Sequence, residues 1–361
     1  MRAWTAGAAG IYGLDAVQDP GKHRGMATSL RGGRGAWAVA VAGAEVLSGC
    51  TTVLGLDQDW HGAATGGTGG ASSTSSGTGG AVAVPPSCAG LAPTCGPAGN
   101  ESCCASSVVV GGTYLRSDES ASTATVSDFR LDRFEITVGR FRAFVAGYPG
   151  NKPAAGAGAH PLIKESGWQA AWTAALPADQ TALKPALKCN AMYQTWTDAP
   201  GDDENLPIAC INWYEAFAFC AWDGGRLATE AEWNYAAAGG NEQRTYPWSN
   251  PPSATTIDGT YAVYNKASIA AVGSRSKAGD GKWEQADMAG GVREWTLDWF
   301  VSSYPTPCDD CAAVIQGAAT SRVNRGGSFV TDGLPLLTRF RLSDDPAGTS
   351  YDVGARCARK P

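Results

Sequence analysis

A chain of 361 residues, 43% hydrophobic and 17% charged, can bury a sizeable core, and its 47 glycines and 13 tryptophans point to a loop-rich fold resting on a few large aromatics. A net charge of −6, with no Lys/Arg cluster beyond the N-terminal region, argues against a nucleic-acid partner, because phosphate binding needs clustered positive charge. The three histidines, His23, His61 and His160, leave no two- or three-histidine metal centre for a folded domain, while 11 cysteines suggest an oxidising compartment and disulfides.

In chain order, residues 1–25 show neither an apolar run nor a helical period, and Met26 is expected to be the true start. Residues 26–50 read as an export signal. Arg31 and Arg34 supply positive charge, and Ala36 to Leu47 a stretch too short for a spanning helix, which needs roughly 20 apolar residues. Leu47-Ser48-Gly49-Cys50 resembles the lipobox of bacterial lipoproteins, with Glu45 a departure from the pattern. That resemblance implies an exported protein anchored to the membrane through a lipid on Cys50. Thr51 carries no acidic retention signal, which favours the outer membrane. Residues 51–87 are rich in Gly, Ser and Thr; they cannot bury enough apolar surface to offset ordering entropy and are expected to be a tether. Residues 88–107 form a small Cys-rich segment. Its Cys88, Cys95, Cys103 and Cys104 allow three pairings, of which the adjacent Cys103-Cys104 is disfavoured.

From 108 to 361 the chain reads as one globular domain. Val108 to Val110 with Tyr114 predicts a strand, and Phe129 to Ile136 another. Thr137 can cap a helix that places Val138, Phe141, Phe144 and Val145 on one face. Residues 149–207 read as a long insertion pinned by Trp168, Trp172 and Trp196. Asn212-x-x-Glu215 and Thr229-x-x-Glu232 are capping boxes that open two helices, with Gly239 ending the second. Beyond Gly240 only short strands and turns are expected. Trp213, Trp222, Trp233, Trp248, Trp295 and Trp299 are expected in the core rather than on a ligand-stacking surface.

Five blocks then carry a family resemblance: FRLDRFEIT from Phe129, INWYEAFAFCAWDGGRLATEAEWNYAAAGG from Ile211, DMAGGVREW from Asp287, RVNRGGSF from Arg322, and GARC from Gly354. Together they resemble the formylglycine-generating enzyme, or sulfatase-modifying factor, family. The resemblance implies an α+β, loop-rich C-type-lectin-like domain with little regular secondary structure. It also implies oxidation of a sulfatase cysteine in a C-x-P-x-R motif, on copper held by two cysteines after the G-G-S segment. Those two positions fall here on Thr331 and near Pro335 or Leu336, and no cysteine lies between Gly326 and Ala355. A hydroxyl and an aliphatic side chain cannot replace two soft thiolates, so copper is not expected. Arg293 stands where the family has tryptophan, and Ser328 is retained. A related three-histidine iron centre cannot be built from His160, which is expected in a surface loop.

The resemblance further implies a Cys220–Cys357 disulfide and a Ca²⁺ site made by the Asp287 side chain, the carbonyls of Gly290 and Val292, and the Glu294 carboxylate. Cys308-x-x-Cys311 is read as a local structural bridge, with a redox pair or half a zinc site as the other readings. Cys189 and Cys210 are left as partners. Two functions are carried forward. One is a non-catalytic binding or scaffold module using a cleft near Arg293, Ser328 and Thr331 to hold a peptide, protein or glycan. The other is a formylglycine-generating oxidoreductase. A hydrolase built on Asp332, Asp344 and Asp345 is weaker, since their spacing marks no acid/base pair.

Overall fold

The computed structural model describes residues 84–361. The expected start at Met26, the export signal, Cys50 and residues 51–83 of the tether lie outside the described residues. A proline-led turn brings the chain into the Cys-rich segment, where the bridges Cys88–Cys104 and Cys95–Cys103 are nested. Cys95 and Cys103 are buried with Phe134, Val272 and Ala286, so this segment is packed into the domain and does not hang from it.

Strand β1 (Ser106–Val109) runs across the boundary expected at residue 108, and β2 (Gly112–Leu115) follows it. The run expected as one strand is therefore two. They part at Gly111, where a Cβ would come within 2.3 Å of the Val126 carbonyl, so only glycine lets the chains pass this closely. Next come β3 (Thr123–Val126) and β4 (Phe129–Asp132). Helix α1 (Val138–Gly147) starts at Thr137, whose side chain accepts the Arg140 amide, and it buries Phe141, Phe144 and Val145. The 149–207 stretch holds α2 (Gln180–Ala186) and several 3-10 turns. Trp168 and Trp196 are buried there, and Trp172 is half-buried.

Helix α3 (Trp213–Trp222), strand β5 (Arg226–Leu227) and helix α4 (Glu230–Ala237) form the centre, and both capping boxes close reciprocally. Gly239 takes a left-handed φ of +67° just after α4, which glycine tolerates without strain. The remaining strands are β6 (Arg293–Trp299), β7 (Cys308–Asp309), β8 (Arg322–Arg325), β9 (Leu342–Asp344), β10 (Val353–Gly354) and β11 (Cys357–Arg359). They assemble as three small sheets, ordered β1-β4-β11-β5, β10-β6-β8-β9 and β2-β3-β7. Cys220–Cys357 joins α3 to β11, and the structure also holds Cys189–Cys210 and Cys308–Cys311.

Charged groups cross the interior in two places. Arg140 and Arg359 both bind Asp132 and Asp223, and Arg140 and Asp223 also bond Ser87, tying the turn that leads into the Cys-rich segment to α1. Arg116, Arg325 and Arg341 converge on Glu230 at the head of α4.

Glu215 has no such partner. One oxygen accepts the Asn212 amide at 2.9 Å; the other is buried without a hydrogen bond, and burial pushes the carboxyl up to about 7. An acid whose pKa is raised by folding contributes most below its unfolded value of 4.5 and loses that contribution as pH rises through 7. Glu215→Gln keeps the cap without the charge. We expect it to match the wild type at pH 4 and to exceed it at pH 8 by at most about 3 kcal/mol. Urea midpoints that track in parallel across this range would remove the assignment.

Candidate functional site

The β10-β6-β8-β9 sheet gathers one end of the domain around Arg293. Its register sets Val353 beside Arg293 and Asn324 beside Trp295 and Leu342, so residues distant in sequence meet. The Arg293 guanidinium grips Asp352 with two bonds, at 3.0 and 2.8 Å, and turns its remaining nitrogen to Asp344 and Asn324. Ser328 donates to the same Asp352 at 3.0 Å, and Ser350 does so at 2.6 Å. Burial works against the charged form of Asp352, but Arg293 outweighs it and holds the carboxyl below its ordinary range. Two carboxylates against one guanidinium leave this network with a net negative charge.

Aromatic rings border the network. Tyr193, from the 149–207 insertion, stacks on Tyr351 with centroids 4.9 Å apart, and both rings pack on buried Phe329, the neighbour of Ser328. Sequence reasoning named Arg293 and Ser328 and missed Asp352, Asn324 and the tyrosines. Asp344 was noted only as one of three unremarkable carboxylates.

Thr331 and Leu336, where the resemblance implies copper ligands, lie together. A Cβ built on Gly327 would meet Leu336 Cδ1 at 2.6 Å and Thr331 Oγ1 at 3.0 Å. Thr331 Oγ1 is already committed: it accepts the Ser328 amide and donates to the Ser328 carbonyl, closing a local turn. Leu336 is buried with Tyr246, Trp248 and Ala289. The spot is thus a hydroxyl already bonded to backbone beside an aliphatic group. All ten cysteines of the described residues are in disulfides, so none supplies a thiolate from elsewhere.

The turn expected to hold calcium is tight, with positive φ at Asp287, Gly290 and Gly291. Its carboxylates are arranged otherwise than the resemblance implies. Both oxygens of Glu294 accept from Arg356, and one also from Trp233 Nε1, so its charge is neutralised inside the protein. Asp287 accepts the Gly273 amide, and burial pushes it up to about 6. Glu135, which lies in the FRLDRFEIT block but was not among the expected ligands, accepts the Val292 amide at 2.8 Å; burial, then Asp287 and Glu294, push it well above the usual carboxylate range. Among the described residues, no group of three or more Asp, Glu, His or Cys side chains is placed to hold a metal ion. The four-ligand set therefore fits a cation only in part, through Asp287 and the turn carbonyls.

His160 corrects the surface-loop expectation. It is 5% exposed, with Nε2 3.3 Å from Glu232, which Arg226 also binds; burial opposes the Glu232 charge, yet these two partners bring its pKa down to about 2. The histidine is a structural partner of the second capping box. A cavity of about 620 Å³ beside Pro86, Arg130 and Arg359 is no better a site, because Arg130 is bonded to Ser106 and Arg359 to Asp132 and Asp223. Trp213, Trp233, Trp248, Trp295 and Trp299 are all buried, and Trp222 is half-buried.

A family model described as a sulfatase-modifying factor enzyme 1-like domain matches residues 92–361. A formylglycine-generating enzyme of Thermomonospora curvata is 28% identical over 272 residues, or 66% of this chain and 84% of that protein. An inactive C-alpha-formylglycine-generating enzyme 2 of Bos taurus is 30% identical over 161 residues, or 42% of this chain and 50% of that protein. Among solved structures, PvdO from Pseudomonas aeruginosa shares the fold with a TM-score of 0.50 at 19% identity, over 71% of this chain and 94% of its own.

Proposed function

The chain belongs to the sulfatase-modifying factor family, and on that premise we propose that its domain binds a ligand in the Arg293 cleft and does not oxidise one. One observation carries the reading: Thr331 Oγ1 and Leu336 Cδ1 converge beside Gly327, where the family resemblance calls for two thiolates. Copper(I) needs soft donors, and a hydroxyl bonded to backbone next to a methyl group offers none. The carboxylate of Asp344, whose side chain is 40% exposed, with the half-buried Tyr193 and Tyr351 instead suits a peptide, protein or glycan that brings hydrogen-bond donors and a face to stack. In this reading Cys50 carries a lipid, the tether expected over residues 51–87 ends before the packed Pro86–Cys88 turn, and the domain stands on the outer membrane.

The test is incubation with Cu(I), O2 and a C-x-P-x-R peptide, followed by mass spectrometry. We expect the cysteine peptide to be recovered unchanged. Conversion of its thiol to an aldehyde would establish the alternative, a formylglycine-generating oxidoreductase. Calcium stays in the proposal on Asp287 and the carbonyls of Gly290 and Val292, with Glu294 remaining on Arg356. Adding Ca²⁺ after EDTA dialysis is then expected to raise the melting temperature, and an unchanged melt withdraws the ion.

A further inference from the structure

The bridge between Cys308 and Cys311 differs from the other four in what surrounds it. Cys308 is 5% exposed, Cys311 is half-buried, and the bond joins cysteines three positions apart in sequence. A buried guanidinium points at both sulfurs: Arg116 Nη1 lies 3.7 Å from Cys308 Sγ and 3.5 Å from Cys311 Sγ. Arg116 is only 1% exposed, and its Nε has no hydrogen-bond partner. Its other nitrogen reaches Glu230 at 3.3 Å, and its plane lies 3.9 Å from the centre of the Tyr304 ring. Glu230 is shared with Arg325 and Arg341, so positive charge here exceeds what that one carboxylate can neutralise. A neutral disulfide offers Arg116 no charge of its own beside Glu230 and the nearby Asp298, whereas a thiolate at the same place would.

We propose that Cys308 and Cys311 form a thiol–disulfide exchange site for a partner dithiol, with Arg116 stabilising the thiolate that Cys308 releases. The partner's first thiolate attacks the more accessible Cys311 Sγ. The Cys308–Cys311 bond breaks, a mixed disulfide forms, and the electron pair leaves on Cys308 Sγ against Arg116; a leaving thiolate so stabilised departs faster. The partner's second thiolate then attacks its own sulfur in the mixed disulfide and frees Cys311. The partner leaves oxidised to a disulfide, and the pair is reduced by two electrons. Of the two thiol protons given up, one goes to Cys311 and the other to solvent.

Strand β7 carries Cys308 and pairs with β3, while Asp310 accepts from both the amide and hydroxyl of Ser127, so the loop keeps its place when the bond opens. The charged and titratable groups facing the pair are Arg116, Glu230 and Tyr304 on one side, with Asp309 and Asp310 in the loop and Asp298 bonded to the Ala313 amide beyond it. The three aspartates oppose a thiolate, which leaves Arg116 as the group that decides its stability. This inference does not depend on what the Arg293 cleft binds.

The full protein is titrated with dithiothreitol, quenched by alkylation and mapped by peptide mass spectrometry. Cys308–Cys311 is expected to open while Cys189–Cys210 and Cys220–Cys357 remain intact. Any exposed local bridge opens early, so the deciding measurement is the pH dependence of Cys308 alkylation in the partly reduced protein. Its midpoint is expected at least about one unit below the ordinary thiol value of about 8.5. Arg116→Gln is expected to raise that midpoint by about one unit and to slow opening several-fold, with Arg116→Lys retaining most of the effect. A wild-type midpoint at or above the ordinary value overturns the proposal, as does a bridge that opens no earlier than the other two. Both readouts come from the unaltered chain and stand even if Arg116→Gln does not fold.

Discussion

Glu230→Gln is expected to lower the unfolding free energy by about 3–5 kcal/mol, the range for removing one member of a buried ion cluster. Glu230 is 1% exposed and takes Arg116 at 3.3 Å and Arg325 and Arg341 each at 2.6 Å. Arg116 and Arg325 are themselves buried, so the amide would strand positive charge in a region of low polarity. The pH profile makes the test specific. Burial alone would raise the pKa of Glu230, but Arg325, Arg341 and Arg116 bring it down to about 2. A depressed acid stabilises the fold above its unfolded value of 4.5 and loses that contribution as pH falls towards 2. The gap between the two proteins in urea denaturation is therefore expected to be widest near neutrality and to narrow below pH 4.5. A variant within about 1 kcal/mol of the wild type at pH 7 would show that the guanidiniums find other partners.

Removing the Cys220–Cys357 bridge is expected to cost at least as much. With its ends 137 positions apart in sequence, the chain-entropy model assigns the closed loop about 4–5 kcal/mol. Both sulfurs are fully buried, in α3 and β11, so Cys220→Ala with Cys357→Ala also gives up packing. Replacing Cys308 and Cys311 together serves as the comparison, because the same model assigns their loop only about 1.5 kcal/mol. Paired denaturation curves are expected to show the long-loop variant as much the weaker. If both lose the same amount, the loop-closure account fails and local packing decides.

What could be read from the residues was whatever is encoded within a few positions. The two capping boxes fixed the starts of α3 and α4, because the cap and its glutamate are three residues apart. The five blocks carried the family and with it the α+β fold. Strand β6 escaped notice because six of its seven residues are buried, so both faces are covered and no alternation survives in the sequence. The Arg293 network was half-legible for a similar reason. Arg293, Asn324 and Ser328 lie in recognisable blocks, but nothing local shows that Asn324 will meet Arg293 31 residues away, and Asp352 lies 59 residues from Arg293, outside every block. His160 was misplaced because no local pattern shows that a loop histidine will meet Glu232, which begins its own contacts 72 residues later. The setting of Cys308 and Cys311 was beyond reach as well: Arg116 is almost 200 residues away, and only the fold brings it to the sulfurs.

Strand β11 occupies the interior of its sheet, between β4 and β5, and Arg359 bonds Asp132 across 227 residues. Domains assembled from such distant pairings fold slowly, because loop entropy is spent before the contacts that offset it form. The consequence concerns timing. Until residues 357–359 emerge, β4 and β5 have no strand between them, Cys220 has no partner, and the four-stranded sheet cannot close. Assembly of this domain is thus a late, nearly all-or-none event, and a chain cut a few residues short of β11 is expected to lose the whole fold rather than one edge of it.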